Sequence, residues 1–331
     1  MRSSTTGRPD IHGYMAAESV PGQMRSAAIV LLKSLTGQQH ALAARPFADD
    51  AARRWLEYRP LPRPGACIAE MGGAARKAAH RLLATALSDH AYAQAMAIVA
   101  LEEVLDRREG WQQGRHSGDY WVTVFGDPSG DEPWSWRFEG HHLSVTMTVL
   151  GDEVSPAPVF LGANPACVSY AGQAVSRPLA PEEDLARALL DALGPAGRAI
   201  AVVSERAPDD IRTGTRPRAG EAIKPRGAAA AQLGPGPRAA LGRLVALYLD
   251  RLPAELAARE AARVVAGELH FAWEGPTAPG QRHYYRVQGD DLLIEYDNTT
   301  DDGNHAHTVL RRPRSDFGDD VLAAHRRQAH P

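Results

Sequence analysis

The sequence has few cysteines and no long apolar run. Its 331 residues include only Cys67 and Cys167, which excludes a disulfide scaffold and a cysteine-rich zinc module. The first apolar cluster spans the six residues 27–32, which is too short for a membrane span or for the core of a secretory signal. We therefore expect a cytoplasmic protein that has no membrane partner.

The sequence also lacks an excess of basic charge. Its 37 basic and 40 acidic side chains give a formal net charge of −3, so no basic surplus exists to neutralise phosphates. Apolar residues make up 44% of the chain, as in globular proteins, which excludes collagen, coiled coil and wholesale disorder. We expect a small-molecule substrate and no nucleic-acid partner, and the composition leaves a homodimer open.

The first third of the chain has a helical pattern. Residues 1–20 are polar, and we expect them to be mobile. Apolar residues such as Ala79, Leu82 and Leu83 then recur at three- and four-residue spacing, which predicts that residues 21–110 form a helical part.

Residues 111–331 are predicted to form the sheet. Two groups of strand candidates are rich in β-branched and aromatic residues. They lie at 120–125, 134–150 and 159–161, and at 269–273, 283–288, 292–298 and 305–311. Helical patterns lie between the two groups, at 179–193, 238–250 and 253–266.

The clustering of helices and strands predicts an α+β fold. We expect a single domain over residues 21–331, in which an N-terminal helical segment packs on a mostly antiparallel sheet and further helices are inserted between its two strand groups. A stretch rich in proline, glycine and arginine predicts a loop or lid at 205–237. No internal repeat is evident.

Histidine is concentrated on the predicted strands. Six of the thirteen histidines lie on or beside strand candidates, namely His141, His142, His270, His283, His305 and His307. His305 and His307 form an H-x-H pair, and residues two apart on a strand point to the same face. Because neutral imidazole is the commonest protein ligand for zinc, iron and copper, this pair predicts part of a metal site.

The segment Glu139-Gly140-His141-His142 offers further ligands from a second strand. Alternation along this strand places His142 on a polar face, and Glu139 and His141 on an apolar face. If the site is an open cleft, His142 is the ligand. If the site lies in the core, His141 and Glu139 serve instead, and the sequence alone leaves both alternatives open.

Polar residues on two later strands complete the candidate set. His283 and Tyr285 share one face of a strand, as do Glu295 and Asp297 on the next. Carboxylates inside an apolar strand need partners, because an unpaired buried charge is costly. A metal ion, an imidazolium or the N–H of a ligating histidine would each serve.

Other features carry less information. Asn164 lies in a tight turn and Trp136 on a strand, where each could contact a ligand or only stabilise the fold. Arg212 or Arg216 could close over an anionic substrate. The sequence contains no Walker loop, no G-x-S-x-G elbow and no H-E-x-x-H helix.

Four separated motifs, in order, resemble a known family. They are WRFEGHHLS at 136–144, FLGANPA at 160–166, HYYRVQG at 283–289, and LIEYDNT at 293–299 followed by NHAH at 304–307. Together they resemble the uncharacterised family listed as domain of unknown function 3500, over most of the chain beyond about residue 20. The resemblance implies no reaction, cofactor or catalytic residue. The family pattern often has tryptophan where this chain has Leu310, so that position is not expected to be essential.

These features favour a metal-dependent enzyme that acts on a small molecule. One divalent ion, zinc or iron, would be held by nitrogens drawn from His142, His141, His305, His307 and His283. The candidate catalytic residues are Glu139, Glu295 and Tyr285, and the candidate substrate-binding residues are Tyr284, Asn164, Asn298 and Trp136. Hydrolysis by a metal-activated water is slightly favoured. The alternatives are an oxygen-using non-haem oxidoreductase and a non-catalytic binding module with structural histidines.

Overall fold

The computed structural model describes residues 18–219 and 224–323. Its α-helices are α1 (Val20–Ser34), α2 (Gly37–Ala43), α3 (Asp50–Arg53), α4 (Gly73–Ala84), α5 (Asp89–Arg108), α6 (Ala180–Ala192), α7 (Gly194–Ala201), α8 (Pro235–Leu249) and α9 (Ala254–Arg263). Its strands are β1 (Ala44–Arg45), β2 (Ala66–Cys67), β3 (Tyr120–Phe125), β4 (Trp134–Gly140), β5 (Leu143–Leu150), β6 (Glu153–Ser155), β7 (Val159–Ala163), β8 (Val168–Tyr170), β9 (Gln173–Ser176), β10 (Val202–Ser204), β11 (Ala228–Ala229), β12 (His270–Glu274), β13 (Tyr284–Gln288), β14 (Leu293–Thr300) and β15 (His305–Arg311).

Local sequence explains where the first helix begins. The Ser19 hydroxyl accepts a hydrogen bond from the Gly22 N–H at the N-terminus of α1, and Pro21 lies in the first turn. Met24 and Leu31 then bury one face of the helix. Most of the predicted mobile segment 1–20 lies outside the described residues.

Thirteen of these fifteen strands form one large sheet, and β8 and β9 form a separate two-stranded sheet. The main path of the large sheet runs β1-β3-β4-β5-β7-β15-β14-β13-β12-β10, with β11, β2 and β6 paired at its sides. The neighbours from β3 to β12 along this path are antiparallel, whereas β1 and β10 at its two ends pair in parallel. The helices α6 to α9 enter between the two strand groups. The predicted α+β fold with a mostly antiparallel sheet is therefore confirmed.

The sheet consists of two halves with the same topology. In each half two helices, α1 and α2 or α6 and α7, precede a short edge strand, β1 or β10. A second short strand, β2 or β11, is followed by two more helices, α4 and α5 or α8 and α9. An antiparallel run of strands completes each half. The cross-strand pair Phe125/Ser135 has a counterpart in Glu274/Tyr284, in which both residues stand 149 positions further on. The halves meet where β7 pairs with β15, so the sheet has an approximate two-fold axis there.

The absence of an evident repeat in the sequence was therefore misleading. Gly126 and Gly275, also 149 positions apart, both have positive φ. A Cβ on either would lie 3.0 or 2.8 Å from a carbonyl oxygen just before β4 or β13, that of Pro133 or Arg282. Gly65 and Gly227 form a second such pair at a different separation, since each has positive φ and lies against a backbone carbonyl of the neighbouring strand. The two halves share backbone geometry at a few glycines, whereas their other side chains differ. A repeat in the amino-acid sequence is therefore hard to recognise.

The two faces of the sheet have different coverings. The helices cover an apolar face, on which Trp136, Leu161 and Tyr285 belong to the main core. Irregular segments cover the other face, where Tyr58, Ile211 and other side chains form a smaller apolar cluster. That cluster comprises Leu56, Tyr58, Phe160, Ile211, Val309 and Phe317. The buried polar side chains described below lie on this second face.

The loop or lid predicted at 205–237 is shorter than predicted. Residues 205–219 are irregular, but Ile211 and Thr213 are buried against the sheet. The regular structure resumes earlier than predicted, since β11 begins at Ala228 and α8 at Pro235. Within the described residues, no helix is both long enough and apolar enough to cross a membrane.

A buried ion pair in the second half joins α6 to the turn between α8 and α9, and a hydrogen bond links it to α5 of the first half. The Arg251 guanidinium lies 2.6 Å from the Glu182 carboxylate, which also accepts a hydrogen bond from Gln94 on α5. Both charged side chains are almost completely buried. Removing one partner of such a pair leaves the other charge uncompensated.

We therefore expect Arg251→Met to lower the free energy of unfolding by about 3–5 kcal/mol, measured by urea denaturation. The double variant Arg251→Met/Glu182→Leu should recover most of this loss, because it removes both charges. A single variant as stable as the wild type would contradict this assignment.

Candidate metal centre

A two-residue hairpin turn presents His141 and His142. Strand β4 ends at Gly140 and β5 begins at Leu143, so the two histidines are the central residues of the turn. His142 has φ +61°, in the left-handed region that such turns use. The continuous strand predicted over 134–150 is therefore wrong. The turn was not predicted because Gly-His-His does not resemble the usual Asn-Gly turn signal. The imidazole rings stack at 3.7 Å between centroids instead of pointing to opposite faces.

The H-x-H pair lies on one face of β15, as its spacing predicts. His307 pairs across the sheet with Gly162 of β7, whose N–H donates to the His142 carbonyl at 2.7 Å. A side chain at Gly162 has no room, since its Cβ would lie 2.7 Å from His142 Cδ2 and 3.1 Å from His307 Cδ2. The glycine thus lets two histidine rings approach each other across the strand between them.

Three imidazole nitrogens converge at this point. His142 Nε2 lies 2.8 Å from His305 Nε2, which lies 3.0 Å from His307 Nε2. Tetrahedral zinc with Zn–N bonds of about 2.0–2.1 Å needs nitrogens roughly 3.3 Å apart, so small ring rotations would fit an ion. His142, His305 and His307 therefore form a group able to hold a metal.

Carboxylates orient two of these rings from behind. His307 Nδ1 donates to Asp210 Oδ1 at 2.9 Å and lies 3.6 Å from Asp297 Oδ2. The second Asp210 oxygen accepts a hydrogen bond from the Tyr58 hydroxyl at 2.8 Å. Because these carboxylates hold a proton on Nδ1, His307 turns its Nε2 towards the other two rings. His305 Nδ1 lies 3.4 Å from Asp301 Oδ2 in a similar arrangement.

The electrostatics of the three rings differ. Burial lowers the pKa of His142 well below its usual value and lowers that of His305 to about 3, so both rings are neutral. Burial also acts to lower the pKa of His307, but hydrogen bonds to Asp210 and Asp297 outweigh it and raise that pKa to about 9. The two carboxylates therefore supply negative charge that a proton on His307 or a metal cation would neutralise.

His141 lies beside this group but points elsewhere. Its Nδ1 lies 2.6 Å from Glu102 Oε1, on α5. Glu102, His141 and His142 form a second group of potential ligand atoms within 4.8 Å of one another. Of the two alternatives left open by the sequence, the geometry places the His142 nitrogen among the converging atoms.

His283 is on the opposite face of the sheet. The register pairs Asp297 with Tyr284 on one side and with His307 on the other, so these three side chains share a face of the sheet. His283 precedes Tyr284, and its side chain therefore points to the opposite face. His283 stacks on Trp273 at 4.3 Å between centroids, in the helix-covered core. The structure does not bring it to the other histidines.

The two predicted catalytic carboxylates have structural partners. Glu139 lies 2.6 Å from the Arg137 guanidinium and 3.6 Å from that of Arg63. Glu295 accepts hydrogen bonds from the backbone N–H groups of Arg212 and Thr213, and from two hydroxyl groups. Glu295 therefore fastens the irregular segment that carries Asp210, and one of those hydroxyls is the predicted substrate-binding Tyr284.

The remaining predicted residues divide between site and core. Asn164 Nδ2 lies 3.3 Å from His305 Nδ1, at the edge of the histidine group. Trp136 is completely buried under the helices, and the Tyr285 hydroxyl bonds to Tyr248 and to a helix carbonyl there. Asn298 accepts a hydrogen bond from the His283 N–H and so shapes a strand end. Arg212 forms an ion pair with Glu274.

Sequence reasoning missed four residues of this site. Asp210 and Tyr58 come from irregular segments without periodicity, and Glu102 comes from a helix more than thirty residues before its histidine. In the sequence, Gly162 is notable only as part of the FLGANPA motif. The Gly162 position in the middle of an apolar strand was the one available signal, because such a glycine often marks a close approach.

The fold and the converging histidines define an α+β protein with a candidate metal centre. A family model described as protein of unknown function (DUF3500) matches residues 17–319, so the chain belongs to that family, as its motifs predicted. No curated protein and no solved structure gives a significant match.

Gly162→Ala tests the packing of this centre. The added Cβ must push the rings of His142 and His307 apart, so we expect the free energy of unfolding to fall by about 1–3 kcal/mol in chemical denaturation. Gly242→Ala on α8 is the control, because its Cβ would have no atom within 4 Å. Equal stability of the Gly162→Ala variant and the wild type would contradict the close approach.

Proposed function

We propose that this protein is a metal-dependent enzyme that acts on a small molecule, with hydrolysis by a metal-activated water as its reaction. The observation that carries the proposal is the convergence of three Nε2 atoms, in which that of His305 lies within hydrogen-bond distance of those of His142 and His307. The proposed cofactor is one divalent ion, zinc in the first place.

The protonation pattern supports a cation at this point. Burial keeps His142 and His305 neutral, and Asp210 holds one His307 proton on Nδ1. A cation that displaces the second His307 proton from Nε2 would therefore face three nitrogen lone pairs. Facing lone pairs repel each other unless a proton or a cation lies between them. Histidine ligands backed by carboxylates are the usual arrangement of protein metal sites.

The number of ligands supports a catalytic role. Structural zinc sites normally have four protein ligands, whereas catalytic sites have three and keep a position for water or substrate. Within the described ranges, the group of His142, His305 and His307 has no fourth histidine, cysteine or carboxylate. The His305 side chain is 18% exposed, so the centre is accessible from one side.

A bound divalent ion would lower the pKa of a coordinated water to about 7 and so supply a nucleophile. The protein would contribute the ring orientations, through Asp210 and Asp301, and a buried surrounding that strengthens charge interactions. The same all-nitrogen donor set also suits iron or copper. An oxygen-using oxidoreductase is therefore the second candidate.

We expect the protein purified without added metal to contain about one zinc ion per chain, measured by plasma mass spectrometry. His305→Ala and His307→Ala should lose most of this metal, because two nitrogens hold zinc poorly. His40→Ala, an exposed histidine on α2, is the matched control and should keep it.

The metal that is found separates the candidate functions. Iron or copper at one per chain, with a colour change in air, would favour the oxidoreductase. Substoichiometric metal in the wild type, with unchanged folding of His305→Ala and His307→Ala, would contradict a metal enzyme and favour a binding module with structural histidines.

A further inference from the structure

A cavity lies between α6, the loop after β7 and the end of β14. Its volume is about 450 Å³, within the usual range for small-molecule sites. Its wall includes Arg177, Leu179, Glu183, Asp184, Arg187 and Tyr296. The strand register places Asp297 on the same face of the sheet as His307, so the neighbouring Tyr296 points to the opposite, helix-covered face. The cavity is therefore separate from the candidate metal centre.

The Tyr296 hydroxyl is a polar group of this wall that lacks a protein partner. The side chain is only 2% exposed, and its ring packs against Tyr285 and His283. No residue in the described part of the chain hydrogen-bonds to the hydroxyl, whereas the Tyr285 hydroxyl bonds to two protein groups. Because buried hydroxyls normally have a partner, a molecule in the cavity is the group that can supply one here.

The first half of the sheet shows that the fold does not require this hydroxyl. Tyr296 corresponds to Met147, 149 positions earlier, and Asn298 of the same cavity wall corresponds to Val149. Both of these first-half side chains are apolar and completely buried. The polar cavity is therefore a property of the side chains of the second half and not of the duplicated backbone.

The charged groups of the wall neutralise one another. The Arg177 guanidinium lies 2.8 Å from the carboxylates of both Glu183 and Asp184. Arg187 lies 2.7 Å from the other Glu183 oxygen. Two positive and two negative side chains thus form one network, so an ionic ligand would bring an uncompensated charge and a zwitterion would have to break these pairs.

The same network can still bind hydroxyl groups. An arginine has five N–H donors and a carboxylate has about four acceptor positions, so an ion pair leaves part of this capacity unused. A hydroxyl group both donates and accepts. Two neighbouring hydroxyls can therefore accept from the Arg177 guanidinium and donate to the Glu183 carboxylate while the ion pair stays intact.

We propose that this cavity binds a neutral sugar of hexose size, whose hydroxyl groups bond to Tyr296, Arg177 and Glu183. The C–H groups of the sugar ring would contact Leu179, on the apolar part of the wall. This site needs no metal ion, and it does not depend on the proposed hydrolytic function.

The test is isothermal titration calorimetry of the full-length protein with glucose, galactose and mannose, at two temperatures. We expect at least one of these hexoses to bind at one site per chain with a Kd in the millimolar range or below. Tyr296→Phe should weaken that binding about 3- to 10-fold, as expected for one neutral hydrogen bond. Arg177→Met should weaken it by about 10-fold or more, because a charged donor is lost.

Arg198→Met on α7 is the matched control. It also removes an arginine from an ion pair, here with the exposed Asp191, but it lies outside the cavity wall. We expect this variant to bind the hexose as the wild type does.

Thermal unfolding separates binding from a structural role of Tyr296. Tyr296→Phe keeps the ring and removes only the hydroxyl that lacks a protein partner, so the variant should be at least as stable as the wild type. A Tm several degrees lower would show that the hydroxyl bonds within the protein, and this would overturn the inference.

Three binding results would also overturn it. The first is no binding of any of the three hexoses at about 20 mM, well above a millimolar Kd. The second is equal hexose affinity of Tyr296→Phe and the wild type. The third is tighter binding of acetate or glycine than of the hexoses, which would show that the cavity takes an anion or a zwitterion.

Discussion

The close approach of His142 and His307 across Gly162 is the contact on which the rest of the site depends. Gly162 and His307 lie on the paired strands β7 and β15, and His142 lies in the tight turn that leads into β5, which pairs with β7 on its other side. Their spacing is therefore set by the sheet and its two-residue turn. Only a glycine between them leaves room for both rings. The third ring, His305, follows from the same strand as His307, because residues two apart share a face. A rigid sheet thus fixes the donor geometry before any ligand binds.

Equivalent hairpin turns in the two halves of the sheet carry different side chains. The turn that holds His141 and His142 in the first half corresponds to Asp290 and Asp291 in the second, 149 positions further on. Those carboxylates pair with Arg312 and with other groups of the C-terminal segment. The same turn therefore stabilises the fold in one half and presents imidazoles in the other. The two turns have equivalent positions in the sheet, and they differ in whether those positions hold two histidines or two aspartates.

The sequence predicted the parts of this structure that depend on local periodicity. The α+β class, the helices and the shared face of His305 and His307 follow from periods of 3.6 and 2. The exclusion of His283 could not be predicted, since it depends on which strands pair and in which register. The turn at His141 could not be recognised, because it adjoins a segment in which apolar and polar residues alternate as in a single strand. Asp210 is placed by the buried carboxylate of Glu295, a long-range contact that no local pattern encodes.

The site joins two environments with different tasks. The buried polar face of the sheet supplies the converging rings and their carboxylates, and the partly exposed His305 side chain leaves one side of the group open. The central claim is that His142, His305 and His307 bind one ion through nitrogen. X-ray absorption at the metal edge of the zinc-loaded protein tests it most directly. The account predicts a first shell with three imidazole nitrogens at about 2.0–2.1 Å. A shell of oxygen or sulfur atoms alone, unchanged in His307→Ala, would contradict it.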